Sequence, residues 1–173
     1  QYMANIPRFM ITAPSSGTGK TTVALALLSA LKARGLDPVA FKCEPDYIDP
    51  MFHREVLHLP SRNLDTFFCP NGGTREILAR GLRAANAQIA VIEGVMGYFD
   101  GTGKTGSEAS ACDLAMQTGT PVILVVDAKG MGRSVSALVR GFQTYERQVL
   151  SALQQENAGT ENTVGTKEII GTK

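Results

Sequence analysis

The stretch FMITAPSSGTGKTT, residues 9–22, reads as a strand, a loop rich in glycine and serine, and the start of a helix. Backbone N–H groups of such a loop, together with the positive end of the helix that follows, bind a phosphate group. Gly17 and Gly19 permit the tight curl and the close approach to phosphate because they have no Cβ. We therefore predict a phosphate-binding loop made of Ser15, Ser16, Gly17, Thr18, Gly19, Lys20, Thr21 and Thr22.

The motif departs from the general pattern G-x-x-x-x-G-K-[ST] at one position, because Pro14 stands where the pattern has Gly. A Gly/Ser/Thr linker would share the composition of the loop. It would not share the apolar run before the loop or the Ala/Leu-rich segment after it, and this context favours phosphate binding. Lys20 is then expected to reach the β- and γ-phosphates, and the Thr21 hydroxyl to ligate Mg²⁺.

Length and composition set the broad class. At 173 residues the chain is long enough for one domain with a sizeable core. Its 17 basic and 16 acidic residues nearly cancel, so no overall field points to nucleic acid or to an anionic membrane. The three cysteines form no metal-ligand spacing, and no apolar run approaches a membrane span. We expect a cytoplasmic protein with reduced thiols and no nucleic-acid or membrane partner.

Solid apolar strands alternate with helical segments along the chain, which predicts an α/β fold with a mostly parallel sheet covered by helices on both faces, a P-loop three-layer sandwich. The predicted strands are residues 8–13, 38–42, 87–92 and 121–126. The predicted helices are residues 20–34, 74–86, 108–118 and one that begins near Ser134 and extends as far as Leu153. A long polar loop is predicted at 43–71, with at most a short helix near 53–57. The domain is predicted to span 1–155, and a polar, disordered tail 156–173.

In a parallel sheet the ligand binds beyond the carboxyl ends of the strands. Polar segments follow the predicted strands at residues 15–21, 42–49, 93–100 and 127–133, so we expect them to converge on one edge. Glu93 follows a buried strand, which favours an acid that ligates Mg²⁺ over a loop cap. Asp46 and Asp49 in the proline-stiffened PDYIDP are open to two interpretations, a metal or substrate site and an Asp-Pro turn.

Other polar residues near these segments have weaker support. Lys42, at the end of the second predicted strand, is expected to steady a phosphate or a carboxylate. His53 and His58 are five residues apart, and no Cys or His completes a zinc set, so surface or substrate contact is the better interpretation.

Several stretches together resemble one family. They are APSSGTGKTT, FKCEPDYIDPMFH, PSRNLD, VIEGVMGYFDG and VVDAKGMGRSVSALVRGF, which follow in unbroken order over residues 8–142. Their pattern is similar to that of cobyrinate a,c-diamide synthase, a family related in fold to dethiobiotin synthetase.

The resemblance implies an ATP- and Mg²⁺-dependent carbon–nitrogen ligase of cobalamin biosynthesis. Such an enzyme converts peripheral carboxylates of a tetrapyrrole to acyl phosphates, which ammonia derived from glutamine then converts to amides. By matching motifs, Thr21, Asp46 and Glu93 would hold Mg²⁺. Tyr47, Asp49 and Asp100 would orient the substrate or the phosphorylated intermediate, and Lys20 would neutralise charge on the transferred phosphoryl group.

Two departures and three alternatives accompany this resemblance. Glu44 stands where the family usually has Gly, and neither the rest of the synthase nor a glutamine amidotransferase domain follows residue 142. We therefore expect an N-terminal part of a synthase that needs an amidotransferase domain or subunit and pairs with a second copy. The alternatives are a nickel-sirohydrochlorin amidase, a partition or septum-type ATPase switch, and a nucleotide-binding fragment without catalysis. The ATPase switch would be expected to have Lys at position 15, where this chain has Ser15.

Overall fold

Five short strands form one parallel sheet in the computed structural model, which describes residues 6–43, 55, 57–64, 73–101 and 110–161. The strand order across the sheet is β3-β2-β4-β1-β5, so β1 lies between β4 and β5. The strands are β1 (Arg8–Thr12), β2 (Pro38–Cys43), β3 (Ser61–Leu64), β4 (Ile89–Glu93) and β5 (Val122–Leu124). The helices are α1 (Lys20–Ala33), α2 (Gly73–Ala84), α3 (Ala111–Thr118) and α4 (Ser134–Glu161).

Helix α1 covers one face of the sheet with small and branched side chains. Ala24 and Leu28 of α1 pack with Ile11, Ala40 and Val91, one residue from each of the three central strands. All five side chains are almost completely buried. Because side chains alternate between the faces of a strand, the residues two positions further along β2 and β4 point to the same face as this core.

Helix α2 covers the opposite face, where Phe41 of β2 lies. A Cβ on Gly81 of α2 would come within 2.7 Å of the Phe41 ring, so the missing side chain allows the close contact. Leu78 and Leu82 on the same helix are fully buried. Helices on both faces of a parallel sheet confirm the predicted fold class.

The strands differ from the predicted ones in three main respects. Strand β5 contains only the 3 residues Val122–Leu124, although residues 121–126 are predicted to be a strand. The segment Ser61–Leu64 forms β3, which pairs with β2, although residues 43–71 are predicted to be a loop with at most a short helix near 53–57. Its sequence SRNL has no apolar alternation, and pairing with β2 rather than apolar character makes it a strand. Strand β4 is displaced toward the carboxyl end, so Glu93 is its last residue. The short helix predicted near 53–57 falls mostly outside the described residues.

The helices also differ at their ends. Helix α3 begins three residues later than predicted because Ser110 caps it, and the Ser110 hydroxyl accepts a hydrogen bond from Asp113 N at 3.1 Å. Helices α1 and α2 end one and two residues before the predicted positions, α1 with Gly35 in the left-handed conformation just after it.

Residues 1–127 and 128–173 form two separate compact units, and the sheet belongs to the first. The second contains α4, which extends past Leu153 to Glu161 and so overlaps the start of the tail predicted at 156–173. The rest of that tail lies outside the described residues, and the predicted boundary at 155 stays a prediction. None of the helices in the described part of the chain is both long enough and apolar enough to cross a membrane.

Candidate nucleotide site at the carboxyl edge of the sheet

The loop between β1 and α1 has the backbone conformation that an anion site requires. Gly17 and Gly19 have φ angles of 77° and 93°, in the left-handed region that favours glycine. Helix α1 begins directly after Gly19 without a side-chain cap, and its first turn contains no acidic residue. The N–H groups of that turn are therefore available to an anion, and the helix dipole favours one there.

Hydroxyl groups form hydrogen bonds within the loop. Thr18 Oγ1 donates to the carbonyl oxygen of Ser15 at 2.8 Å and lies 3.4 Å from Ser15 Oγ. Ser16 and Thr22 are exposed. Of the eight residues predicted for the phosphate loop, the structure places 15–19 between β1 and α1 and Lys20, Thr21 and Thr22 in the first turn of α1.

Lys20 crosses the loop to a neighbouring segment. Its Nζ donates to the carbonyl oxygens of Ser15 at 3.1 Å and Met96 at 2.6 Å. Burial lowers the pKa of Lys20, Lys42 lowers it further, and the carboxylates of Glu93 and Asp100 act in the opposite direction. Both hydrogen-bond acceptors are uncharged carbonyl oxygens. A phosphate group would pair better with this ammonium than they do.

Glu93 receives donors from two other elements. Thr21 Oγ1 at the start of α1 donates to Glu93 Oε1 at 2.5 Å, and Lys42 Nζ at the end of β2 forms an ion pair with the same oxygen at 2.9 Å. Glu93 and Lys42 are only 2% and 6% exposed. The structure therefore joins a predicted metal ligand, Thr21, to a predicted acid 72 residues away.

The segment after β4 packs against the phosphate loop through its backbone. Tyr98 N donates to the carbonyl oxygen of Ala13 at 2.9 Å, and Gly97 N donates to Asp100 Oδ2 at 3.1 Å. A Cβ on Gly97 would come within 2.6 Å of the Pro14 carbonyl oxygen and would also collide with the Asp100 carboxylate. Met96, whose carbonyl accepts from Lys20, has a φ of 52°, which is uncommon for a residue with a side chain.

The residues at this edge fit a magnesium ion. Glu93 Oε2 is buried and has no hydrogen-bond partner among the described residues, and it belongs to the carboxylate that the Thr21 hydroxyl contacts. The described residues contain no group of three or more His, Cys, Asp or Glu side chains that could hold a metal. One carboxylate and one hydroxyl are nevertheless a usual protein contribution to Mg²⁺, because phosphate oxygens and waters complete its shell.

The structure describes only part of the predicted site. Asp46, Tyr47 and Asp49 lie outside the described residues, as do Glu44 and His53, and their roles stay predictions. His58 is exposed. Asp100 is also exposed, but its bond to Gly97 places it in the segment that touches the phosphate loop.

Sequence reasoning missed two contacts at this edge. Nothing in the sequence predicts that the Met96 carbonyl oxygen accepts a hydrogen bond from Lys20. The contact between Lys42 and Glu93 does have a signal once the pairing of the strands is known, because the two residues are register partners in β2 and β4. Directly paired residues of neighbouring parallel strands point to the same face of the sheet.

Comparison with known proteins places the chain in a family context. A family model described as the CobQ/CobB/MinD/ParA nucleotide binding domain matches residues 9–172. The chain is 45% identical over 148 residues to cobyrinate a,c-diamide synthase of Thermoplasma volcanium. The match covers 86% of this chain and 32% of that protein.

Two further relatives give the same result. The identity is 46% over 144 residues to hydrogenobyrinate a,c-diamide synthase of Streptomyces coelicolor, covering 83% of this chain and 29% of that protein. The chain is also 47% identical over 140 residues to cobyrinate a,c-diamide synthase of Gloeobacter violaceus, and the match covers 81% of this chain and 30% of that protein. The resemblance predicted from the motifs is confirmed. The chain spans about a third of the length of the curated relatives it matches.

Proposed function

This chain belongs to the CobQ/CobB/MinD/ParA nucleotide-binding domain family, and we propose that it is the ATP-binding part of a corrinoid a,c-diamide synthase. The observation that carries the proposal is the convergence of Lys20, Thr21 and Glu93, with Lys42, at the carboxyl ends of β1, β2 and β4. The names of the relatives support cobyrinate or hydrogenobyrinate as the substrate class. A partition-type switch is less well supported because Ser15 stands where it would be expected to have Lys.

In this proposal the phosphate loop holds the β- and γ-phosphates of ATP. The N–H groups in the first turn of α1, which has no side-chain cap, donate to phosphate oxygens. Lys20 exchanges the carbonyl oxygens of Ser15 and Met96 for phosphate oxygens. The exchange moves the ammonium from neutral acceptors to charged ones. Charge that accumulates on the γ-phosphoryl group during transfer is stabilised by the same preorganised donors.

Thr21 and Glu93 would hold Mg²⁺, and Asp46 is proposed as a third ligand on the basis of its motif. The ion would neutralise phosphate charge and align the γ-phosphoryl group with the attacking oxygen. Glu93 has one oxygen, Oε2, without a hydrogen-bond partner in the described part of the chain, and Thr21 retains a lone pair while it donates to Oε1.

The proposed reaction has two steps. A peripheral carboxylate oxygen of the tetrapyrrole attacks the γ-phosphorus, the bond from phosphorus to the β-phosphate oxygen breaks, and ADP leaves. Ammonia then attacks the acyl carbon of the acyl phosphate, the bond from carbon to the phosphate oxygen breaks, and phosphate and a proton leave the amide. Tyr47, Asp49 and Asp100 are proposed to orient the substrate and this intermediate.

The partners belong to the same proposal. The ammonia would come from glutamine through an amidotransferase domain or subunit, and two copies of the synthase would pair. The near-neutral net charge of +1 supports a small-molecule substrate rather than nucleic acid or a membrane surface. We place the reaction in the cytoplasm.

Calorimetric titration with a non-hydrolysable Mg·ATP analogue tests the proposal on the wild-type chain, on Lys20→Ala and on Lys32→Ala. Lys32 lies on the same helix, and its Nζ donates to the Leu57 carbonyl oxygen at 2.7 Å on the exposed surface, so it is a matched control. We expect Lys20→Ala to lose about 2–4 kcal/mol of binding free energy, as when a charged hydrogen bond to phosphate is removed, and Lys32→Ala to bind as the wild type does.

Absence of binding to the folded wild-type chain would overturn the nucleotide site. If the chain binds, ADP release should be measured with and without cobyrinate. Release that cobyrinate stimulates, in the presence of ammonium, would support the synthase assignment, and release without that stimulation would favour a nucleotide-binding fragment without catalysis.

A further inference from the structure

Lys42, which the sequence predicts to steady a phosphate or a carboxylate, is a buried cation at this edge that the two reaction steps above do not use. It is the register partner of Glu93 in the neighbouring strand, and both residues lie one pleat beyond Ala40 and Val91, which pack beneath α1. The strand pairing therefore places the Cα atoms of Lys42 and Glu93 side by side with both side chains on the same face, so that their contact does not depend on the placement of a loop.

The two donors to Glu93 meet at one oxygen. Lys42 Nζ and Thr21 Oγ1 both contact Oε1, at 2.9 Å and 2.5 Å, whereas Oε2 is buried with no hydrogen-bond partner in the described part of the chain. The terminal torsion of a glutamate is broad and close to two-fold, so a single donor would leave the carboxylate free to turn. Donors from two different elements, β2 and α1, remove that freedom.

We propose that Lys42 is a positioning residue that acts through Glu93. It holds Oε1 in place, and thereby presents Oε2 to the divalent ion of a bound nucleotide. The inference rests on the proposed function, because it assumes that the ion and the nucleotide bind at this edge.

A structural ion pair alone would give a different result. A buried pair that only stabilises the sheet can be replaced with loss of stability and no change in the dependence of nucleotide binding on Mg²⁺. A lysine that contacted phosphate directly would weaken nucleotide binding with and without the ion. A positioning role predicts a third result, in which only the contribution of Mg²⁺ is lost.

The experiment measures the affinity of the full chain for the non-hydrolysable ATP analogue in Mg²⁺ and in EDTA, and compares the ratio of the two affinities. The variants are Lys42→Met, Lys42→Arg and the control Lys32→Met. For Lys42→Met we expect the ratio to fall about tenfold or more, the usual effect of removing a group that orients a metal ligand. For Lys42→Arg we expect a fall of about threefold, because the guanidinium keeps the charge but places its donors differently.

In both Lys42 variants the affinity in EDTA should stay within about threefold of the wild type, well inside a tenfold or 1.4 kcal/mol change. The Lys32→Met ratio should match the wild type. A wild-type ratio in either Lys42 variant that folds, or an equal loss with and without Mg²⁺, would overturn the inference. Lys42→Arg keeps the buried charge paired, so it decides the matter if Lys42→Met does not fold.

The outcomes also separate this inference from the function on which it rests. A wild-type chain that binds no nucleotide contradicts the proposed function and the inference together. A wild-type chain whose affinity depends on Mg²⁺, together with Lys42 variants that keep that dependence, contradicts the role of Lys42 alone.

Discussion

Each end of strand β1 has a cation that donates to backbone carbonyl oxygens: the half-buried Arg8 at the amino end and the buried Lys20 beside the carboxyl end. The two ends differ in how many of their polar groups have hydrogen-bond partners. At the amino end, Arg8 Nη2 donates to the carbonyl oxygens of Thr118 and Gly119 at 2.9 Å and 3.3 Å, and Nε donates to Thr120 Oγ1 at 3.2 Å. The two carbonyl groups stand at the carboxyl end of α3, where carbonyls lack helical partners and a cation is favoured. Burial, followed by the Arg75 guanidinium, lowers the pKa of Arg8.

The carboxyl end is less completely satisfied. Thr12 Oγ1 and Glu93 Oε2 are buried without hydrogen-bond partners among the described residues. Met96, which accepts from Lys20, has a left-handed backbone. Unsatisfied polar groups and backbone strain both lower stability, and they persist mainly where function requires them.

The difference separates a structural end of the sheet from a functional one. Both ends have hydroxyl groups, carbonyls and a cation, so composition does not distinguish them. What distinguishes them is whether the groups satisfy one another in the free protein. At the amino end they do, and at the carboxyl end charged groups remain for which a ligand would be the better partner.

The largest expected effect on stability and nucleotide affinity comes from a side chain added between the phosphate loop and the segment after β4. Gly97→Ala would place a Cβ within 2.6 Å of the Pro14 carbonyl oxygen and against the Asp100 carboxylate. The segment containing Met96 must then move away from the phosphate loop. We expect a loss of about 1–3 kcal/mol of stability from overpacking. We also expect a fall of about tenfold in nucleotide affinity, because the phosphate loop loses the support of the hydrogen bond from Tyr98 N to the Ala13 carbonyl oxygen.

Denaturant unfolding and calorimetric titration measure the two effects separately. Gly141→Ala is a suitable control for nucleotide affinity, since in the described part of the chain an added Cβ there meets no atom within 4 Å outside the backbone of its own helix, and Gly141 is not in the left-handed region. Wild-type affinity in Gly97→Ala would show that contact between the two loops is unnecessary for the nucleotide site.

The second effect tests the amino end. Arg8→Met removes every donor to the end of α3 described above, and we expect about 1–3 kcal/mol lower stability because hydrogen bonds from a charged donor are lost. Nucleotide affinity should not change, since Arg8 lies at the opposite end of β1. The control is Arg80→Met, which breaks an exposed pair with Glu76 at 3.0 Å and should reduce stability by about 0.3–0.5 kcal/mol. A nucleotide affinity that falls with Arg8→Met would contradict the separation of the two ends.

The sequence is informative about this fold where apolar runs and glycine positions decide the structure. The parallel sheet, the phosphate loop and the carboxyl edge follow from the runs before Ala13 and Glu93 and from Gly17 and Gly19. Strand β3 could not be predicted from SRNL, because its strand conformation depends on pairing with β2, a contact between segments distant in the chain.

For the site, the sequence predicts the residues that stand in motifs but not the contacts between distant segments. Thr21 and Glu93 are identified by their places in motifs, whereas the ion pair between Lys42 and Glu93 requires the strand register, and the bond between Lys20 and Met96 requires the path of a loop. Local sequence determines which residues stand at the edge. Tertiary packing determines which of them meet.

The smallest expected effect on stability comes from the same substitution, Thr to Val, made at each of the two ends. Thr12 and Thr118 are both fully buried, and Val has nearly the shape of Thr without the hydroxyl group. Thr118 Oγ1 donates to the Leu114 carbonyl oxygen at 2.7 Å and lies 2.7 Å from Thr120 Oγ1. Thr118→Val should therefore lower stability by about 1 kcal/mol, the net value of a hydrogen bond.

Thr12→Val should instead leave stability unchanged or raise it by up to about 1 kcal/mol, because it removes a buried hydroxyl that has no partner in the described part of the chain. The free energy of unfolding in urea, measured for both variants under one set of conditions, gives the comparison directly. Equal losses at the two positions would mean that the Thr12 hydroxyl is satisfied in solution, for example by water. The carboxyl end would then owe its unpaired character to Glu93 alone, and the case for a ligand at this edge would rest on the carboxylate rather than on the strand end as a whole.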